Sequence, residues 1–174
     1  IRPNLRVNLQ FKKSESLRFT FRKNTQFTDV NNLAQGYVFN NYNNIFQGNR
    51  ELEAAVVNAY NLNYRSINQF TFTNIFANAS YSKRSNSIQS RANVNGINAI
   101  RTSTNSVFPR ETYSLSGRID KRFKNMKLNF STRYNFSEFT NVINDQINKS
   151  ESLTQNYSAS IETNFRDKPN FELG

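Results

Sequence analysis

Leu5-Arg6-Val7-Asn8-Leu9-Gln10-Phe11-Lys12, a break at Lys13-Ser14-Glu15-Ser16, then Leu17-Arg18-Phe19-Thr20-Phe21-Arg22: this stretch decides how the chain is read. Apolar and polar side chains alternate one for one on both sides of a short polar link. A period of two puts Leu5, Val7, Leu9 and Phe11 on one face of a strand and Arg6, Asn8 and Gln10 on the other. Leu17, Phe19 and Phe21 oppose Arg18, Thr20 and Arg22 in the same way. The pattern predicts a hairpin with one oily and one basic face.

The same pattern recurs along the chain. Tyr60, Leu62 and Tyr64 alternate with Asn61, Asn63 and Arg65. Phe70 and Phe72 share one parity, and Ile75, Ala77, Ala79 and Tyr81 the other, which predicts a bulge near Asn74. Tyr113, Leu115, Ile119 and Phe123 stand against Ser114, Ser116, Arg118 and Arg122. Leu128, Phe130, Tyr134 and Phe136 stand against Asn129, Ser131, Arg133 and Asn135. Tyr157, Ala159, Ile161 and Phe165 stand against Asn156, Ser158, Ser160 and Asn164. An eighth segment begins at Phe171. The full segments run roughly 9–13 residues, against about 5–6 for a soluble strand. A tilted strand crossing a bilayer needs about 9–11.

Short links at 13–16, 66–69, 124–127 and 166–170 alternate with longer polar links near 24–55, 83–111 and 141–151. That order predicts an antiparallel up-and-down meander with tight turns at one end and long loops at the other. Outer-membrane barrels have this asymmetry. Phe11, Tyr64, Phe70, Phe123 and Phe165 fall beside the short turns and form a candidate aromatic girdle at one rim. Aromatic residues are also good strand formers, which would place them there without any girdle. Phe21, Phe27, Tyr81, Tyr113, Tyr134 and Phe136 fall toward the opposite end.

Composition closes off most chemistry. The chain has 174 residues, Lys+Arg 23 against Asp+Glu 12, a net charge of +11, and no His, Cys or Trp. Without thiols there is no disulfide framework or thiolate metal site, and without imidazole no Ser-His-Asp or Cys-His machine. Zinc loses both of its usual ligands. Asp120, Glu138, Asp145, Glu151 and Glu162 are scattered and suggest no glycosidase pair. The expectation is a protein that is not an enzyme, with no catalytic, cofactor or metal residues. No apolar run is long enough for a transmembrane helix.

Arg6, Arg18, Arg22, Arg65, Arg118, Arg122 and Arg133 all fall on the polar parity. With the oily face turned to lipid they line the lumen, where they draw anionic solutes or pair with carboxylates such as Asp120 and Glu162. Cations and aromatics on opposite parities occupy opposite faces, which argues against a single-strand nucleic-acid platform. In the first long link, Asn41, Tyr42, Asn43 and Asn44 are candidate ligand contacts, set against the plainer reading of a solvated loop. Gly48-Asn49 reads as a turn needing a positive φ.

Leu17-Arg18-Phe19-Thr20-Phe21-Arg22-Lys23-Asn24-Thr25 and the link to Leu33-Ala34-Gln35 resemble the TonB-dependent receptor barrels of the outer membrane, SusC-like relatives included. There a strand of type LRLNYR leads into a loop of type ST…P…QLQ. The family's next landmark, GNPxLKPE before an alternating strand, is matched by Gln47-Gly48-Asn49-Arg50-Glu51-Leu52-Glu53 ahead of Asn58-Ala59-Tyr60-Asn61-Leu62-Asn63-Tyr64, with both prolines replaced. Ala92-Asn93-Val94-Asn95-Gly96 and Val107-Phe108-Pro109-Arg110 are similar to the family's N-x-x-G…P extracellular hairpin. The resemblance implies nutrient uptake across the bacterial outer membrane. Its implied partners are membrane lipid, a plug domain, TonB and a surface lipoprotein.

The expected fold is therefore all-β. Residues 1–174 would be a partial barrel domain of about seven full strands, cut from a larger transmembrane barrel with an even strand number. Two other readings are a non-transport outer-membrane barrel serving secretion or adhesion, and a soluble basic β domain binding nucleic acid or polysaccharide.

Overall fold

A computed structural model describes residues 3–34, 36–41, 44–95, 98–144, 146–165 and 169–174, with the side chains of all of these except 40, 95, 98, 141 and 143. In chain order the strands are β1 (Asn4–Lys12), β2 (Glu15–Gln26), β3 (Tyr37–Asn41), β4 (Asn44–Gln47), β5 (Ala55–Asn68) and β6 (Thr73–Ser85). They continue as β7 (Ile88–Asn95), β8 (Asn98–Asn105), β9 (Arg110–Phe123), β10 (Met126–Ile143), β11 (Gln146–Thr163) and β12 (Glu172–Leu173). A short 3-10 turn, Val30–Leu33, lies between β2 and β3, with Asp29 capping it through the amide of Asn31.

The main sheet follows the predicted meander. β1, β2, β5, β6, β9, β10, β11 and β12 pair in that order, each antiparallel to its neighbour. Ladder pairing locks the parities together. Leu5 opposes Phe21, which opposes Tyr60, then Tyr81, Tyr113, Phe136 and Leu153. The alternating residues between them share the other face throughout. A slip of one residue on any strand would exchange its faces, so the oily pattern itself specifies the register.

The turn end of the sheet is oblique. Pairing stops at Lys12/Glu15, at Asn68/Thr73 and at Phe123/Met126. Through the pairs Glu15–Ser66 and Thr73–Lys121, each stop lies two residues beyond the last. That is roughly 7 Å along a strand for every roughly 9.6 Å across the sheet, an inclination of about 35°.

Four details differ from the sequence reading. The β5–β6 ladder runs without interruption from Val56–Ser85 to Asn68–Thr73, so no bulge lies at Asn74. The parity change arises because Phe70 and Phe72 sit in the turn, which is at 69–72 rather than 66–69. The register irregularity falls instead between Gln10 and Lys12, at Phe11. The link at 141–151 is no loop: β10 and β11 stay paired out to Ile143–Gln146. Lys149 bridges Glu138 at 3.0 Å and Glu151 at 3.5 Å there, which offsets the repulsion of two opposed carboxylates.

The other two long links carry strands of their own. β3 and β4 form one hairpin, β7 and β8 another. β7 adds in parallel to the far end of β10, and β8 pairs in parallel with β4. The links thus extend the sheet beyond the end of β9. They are clasped by Asn105, which donates to the carbonyls of Glu53 and Asn86, and by Ser103, which donates to Asn32.

Among the described residues nothing covers the oily face. The accessible surface is 12913 Å², whereas a compact monomer of this mass exposes about 8,800 Å². Among the described residues Ala55 is the one buried apolar side chain, while Leu9, Phe130 and Ile161 are 49%, 46% and 39% exposed. The molecule is a single layer. Among the described residues β1 pairs with β2 alone, so the sheet is open and does not close into a barrel.

Candidate functional site

The sheet is curved with its polar face inside. A concavity of about 1310 Å³ runs from Asn8 and Gln10 on β1 to Asn156 and Ser158 on β11. Of the predicted arginines, Arg18, Arg65, Arg118 and Arg133 line it. Arg6, Arg22 and Arg122 share the face by register, with Arg6 opposite Thr20, Arg22 opposite Ala59 and Arg122 opposite Lys127, but stand outside the concavity.

The arginines are not alike. Arg118 donates through Nε to both oxygens of Asp120 at 2.9 and 3.0 Å. Arg18 donates to Asn8 Oδ1 at 2.8 Å. Among the described residues no carboxylate pairs with Arg65 or Arg133. Glu162, expected to neutralise an arginine, pairs with Lys127 at 3.1 Å. Between the cations lies an amide ladder. Asn78 donates to Asn61 and Asn63 at 2.9 and 2.6 Å, and Ser114 donates to Asn135 at 2.6 Å. These amides and hydroxyls hold one another in place between β5 and β6 and between β9 and β10, so the wall presents fixed dipoles to water.

Phe76, which the alternation does not single out, also lines this concavity. It breaks the parity of β6, with Arg65 on one side and Arg118 on the other. Its signal in the sequence was an aromatic one position out of step with Ile75, Ala77 and Ala79.

The five candidate girdle residues do not gather into one contacting cluster. Phe11, Phe70 and Phe123 are exposed near the turn end, at 60%, 96% and 50%. Phe165 lies just past β11, and Tyr64 lies on the oily face, its hydroxyl donating to Glu15 at 2.8 Å. One edge-on pair of rings, Tyr134 and Tyr157, lies near mid-strand, and a longer contacting row lies toward the loop end. Phe21, Tyr60, Tyr81, Tyr113 and Phe136 form a cross-strand row with centroids 4.9, 5.8, 4.7 and 6.1 Å apart. The next row outward on the same face is ionic: Lys23, Asn58, Lys83, Glu111, Glu138 and Glu151 follow one another across the ladder. Lys83 bridges Glu111 at 3.3 Å. Beyond it, the Glu138 carboxylate holds the Lys149 ammonium above the ordinary lysine range.

Of the candidate loop contacts, Asn41 and Asn44 end β3 and β4 as an opposed pair at a hairpin tip. Tyr42 and Asn43 lie outside the described residues. Gly48 is needed for space rather than for a positive φ: a Cβ there would sit 2.3 Å from the Ala34 carbonyl oxygen. The side chains gathered on the concave face suit binding: guanidiniums for oxyanions, amides and hydroxyls for polar edges.

No family model matches the chain, and no curated protein or solved structure matches it.

Proposed function

We propose that this chain is part of the wall of an outer-membrane β-barrel, with its tyrosine- and leucine-bearing face against lipid and its arginine-bearing face around a water-filled lumen. On the sequence resemblance, the barrel is of the TonB-dependent receptor type and takes up a bulky nutrient, with a plug domain, TonB and a surface lipoprotein as its partners.

The observation that carries this reading is a single-layered sheet whose polar face forms a basic concavity and whose opposite face is oily and uncovered. A soluble sheet would need a second layer on its oily face. Hydrocarbon meets that need without one. The oblique turn end fits as well, since strands of closed barrels tilt by about 35–45°. Tyr113 to Phe123 spans roughly 34 Å of strand at about 3.4 Å per residue. At an inclination of about 35° it rises about 28 Å, close to the roughly 25 Å apolar band of such barrels. The row of rings followed by a row of charges marks one boundary of that band. The open edge of β1 then requires a neighbouring strand, because no backbone group goes unpaired in lipid.

Fractionation tests the reading. The protein should stay with membranes after alkaline extraction and should need detergent to purify. A monodisperse protein that stays in solution without detergent, and whose polyanion binding falls steeply with salt, would favour the soluble basic β domain.

A further inference from the structure

Phe76 is on the wrong face for packing. Ile75, Ala77, Ala79 and Tyr81 follow the oily parity of β6, whereas Phe76 stands in the floor of the basic concavity and is 37% exposed. Arg65 on β5 and Arg118 on β9 are its direct partners across the two ladders. Directly opposed residues lie about 4.5–5.5 Å apart, so two guanidinium-bearing positions flank one phenyl ring at about 5 Å on either side. One row farther on, Arg18, Asn63, Asn78, Ser116 and Arg133 follow one another across the same strands. Among the described residues no cation stacks on the Phe76 ring, and Arg65 has no carboxylate partner. The ring and one strong oxyanion donor therefore both face open water, side by side.

We propose that Phe76, Arg65 and the amides of Asn63 and Asn78 form a binding site for a small ligand that joins a flat ring to an oxyanion. The ring stacks on Phe76, a sequence-tolerant contact open to any flat π-system. The phosphate or carboxylate takes a two-point contact from Arg65, whose planar fork matches it. Polar atoms on the ring's edge meet the amide ladder, which is already oriented by its own hydrogen bonds. Arg118 is neutralised by Asp120, so the long-range attraction comes from Arg18 and Arg133 in the next row. This site deepens the lumen reading by naming the class of solute the wall can hold, and it rests on that reading only for calling the concavity a lumen.

Calorimetric titration of the full chain with adenosine monophosphate, phenyl phosphate, adenosine and inorganic phosphate tests the proposal. The two ring phosphates should bind more tightly than either adenosine or inorganic phosphate. Adenosine monophosphate binding more tightly than phenyl phosphate assigns the amides to a heterocycle's edge. Equal binding overturns the part assigned to Asn63 and Asn78. Phe76→Leu should weaken the ring phosphates by about five-fold or more, Phe76→Tyr should retain them, and Arg65→Gln should weaken them by about tenfold. Inorganic phosphate binding as tightly as the ring phosphates overturns the proposal. So does unchanged binding by Phe76→Leu and Arg65→Gln with the strand content intact. A failed titration on protein that remains in detergent removes this site alone. A detergent-free soluble protein removes the lumen reading and leaves the titration to be judged by itself.

Discussion

At the scale of single residues, backbone conformation and clearance matter as much as side-chain chemistry. Phe72 adopts φ 49 in the β5–β6 turn, a left-handed conformation that costs an ordinary L-residue about 1–2 kcal/mol. Phe72→Asn should raise stability by up to about 1 kcal/mol, read as a higher denaturation midpoint, since Asn tolerates this region. An unchanged or lowered midpoint would mean that the exposed ring contributes something its surroundings do not reveal. Gly48 has the opposite constraint. Any Cβ would strike the backbone of Asn32 and Ala34. Gly48→Ala should cost about 1–3 kcal/mol and speed amide exchange around residues 32–34 and 103–105. The sequence marked Gly48 as a turn residue, because the chain segment it abuts is distant in sequence and leaves no local trace. Phe76 was hidden for a related reason. Alternation is a property of whole segments, and the single residue that breaks it leaves the segment's period unchanged.

At the scale of elements, the strands of the main meander were legible, whereas their ends and the strands β3, β4, β7 and β8 inside the long links were not. Alternation located the strands of the main meander from Leu5 onward, and Asn- and Ser-rich links separated them. The polar run at 141–151 read as a loop because its oily side chains are sparse. Its strands are held instead by ladder hydrogen bonds and by Lys149 between Glu138 and Glu151. Lys149→Glu should therefore open the tip, with faster amide exchange from Phe139 to Ser150 and no change from Leu128 to Phe130. Because the lysine's pKa is raised above 10.5, its contribution is complete below that pH and is lost as pH climbs through the higher value of the folded hairpin. Tip protection should therefore be insensitive to this group between pH 7 and 9. The aromatic row makes a separate prediction. Tyr81 and Tyr113 lie 4.7 Å apart, and a double-mutant cycle to Leu should give a coupling of about 0.5–1.5 kcal/mol. A coupling near zero would mean the rings share a row without helping one another.

At the scale of the whole molecule, the sequence told which residues share a face but not which way the sheet curves or how its strands stagger. Both are properties of the ladder. Curvature places Arg18, Arg65, Arg118 and Arg133 inside, and the two-residue step between successive turns inclines the sheet. Alternation did not reveal the contacting row of rings, because cross-strand register, a property of the ladder, brings Phe21, Tyr60, Tyr81, Tyr113 and Phe136 together. The central claim is that the oily side meets hydrocarbon and the basic side meets water. The absence of native cysteine makes a clean test available on β9, where Leu115 and Ser116 point to opposite faces. The most direct measurement is fluorescence quenching of a probe on Leu115→Cys and on Ser116→Cys in lipid vesicles. Quenching at 115 by spin-labelled acyl chains and at 116 by aqueous iodide is the expected result. A probe at 115 shielded from both quenchers, or quenched by iodide while 116 is reached by lipid, would contradict the account.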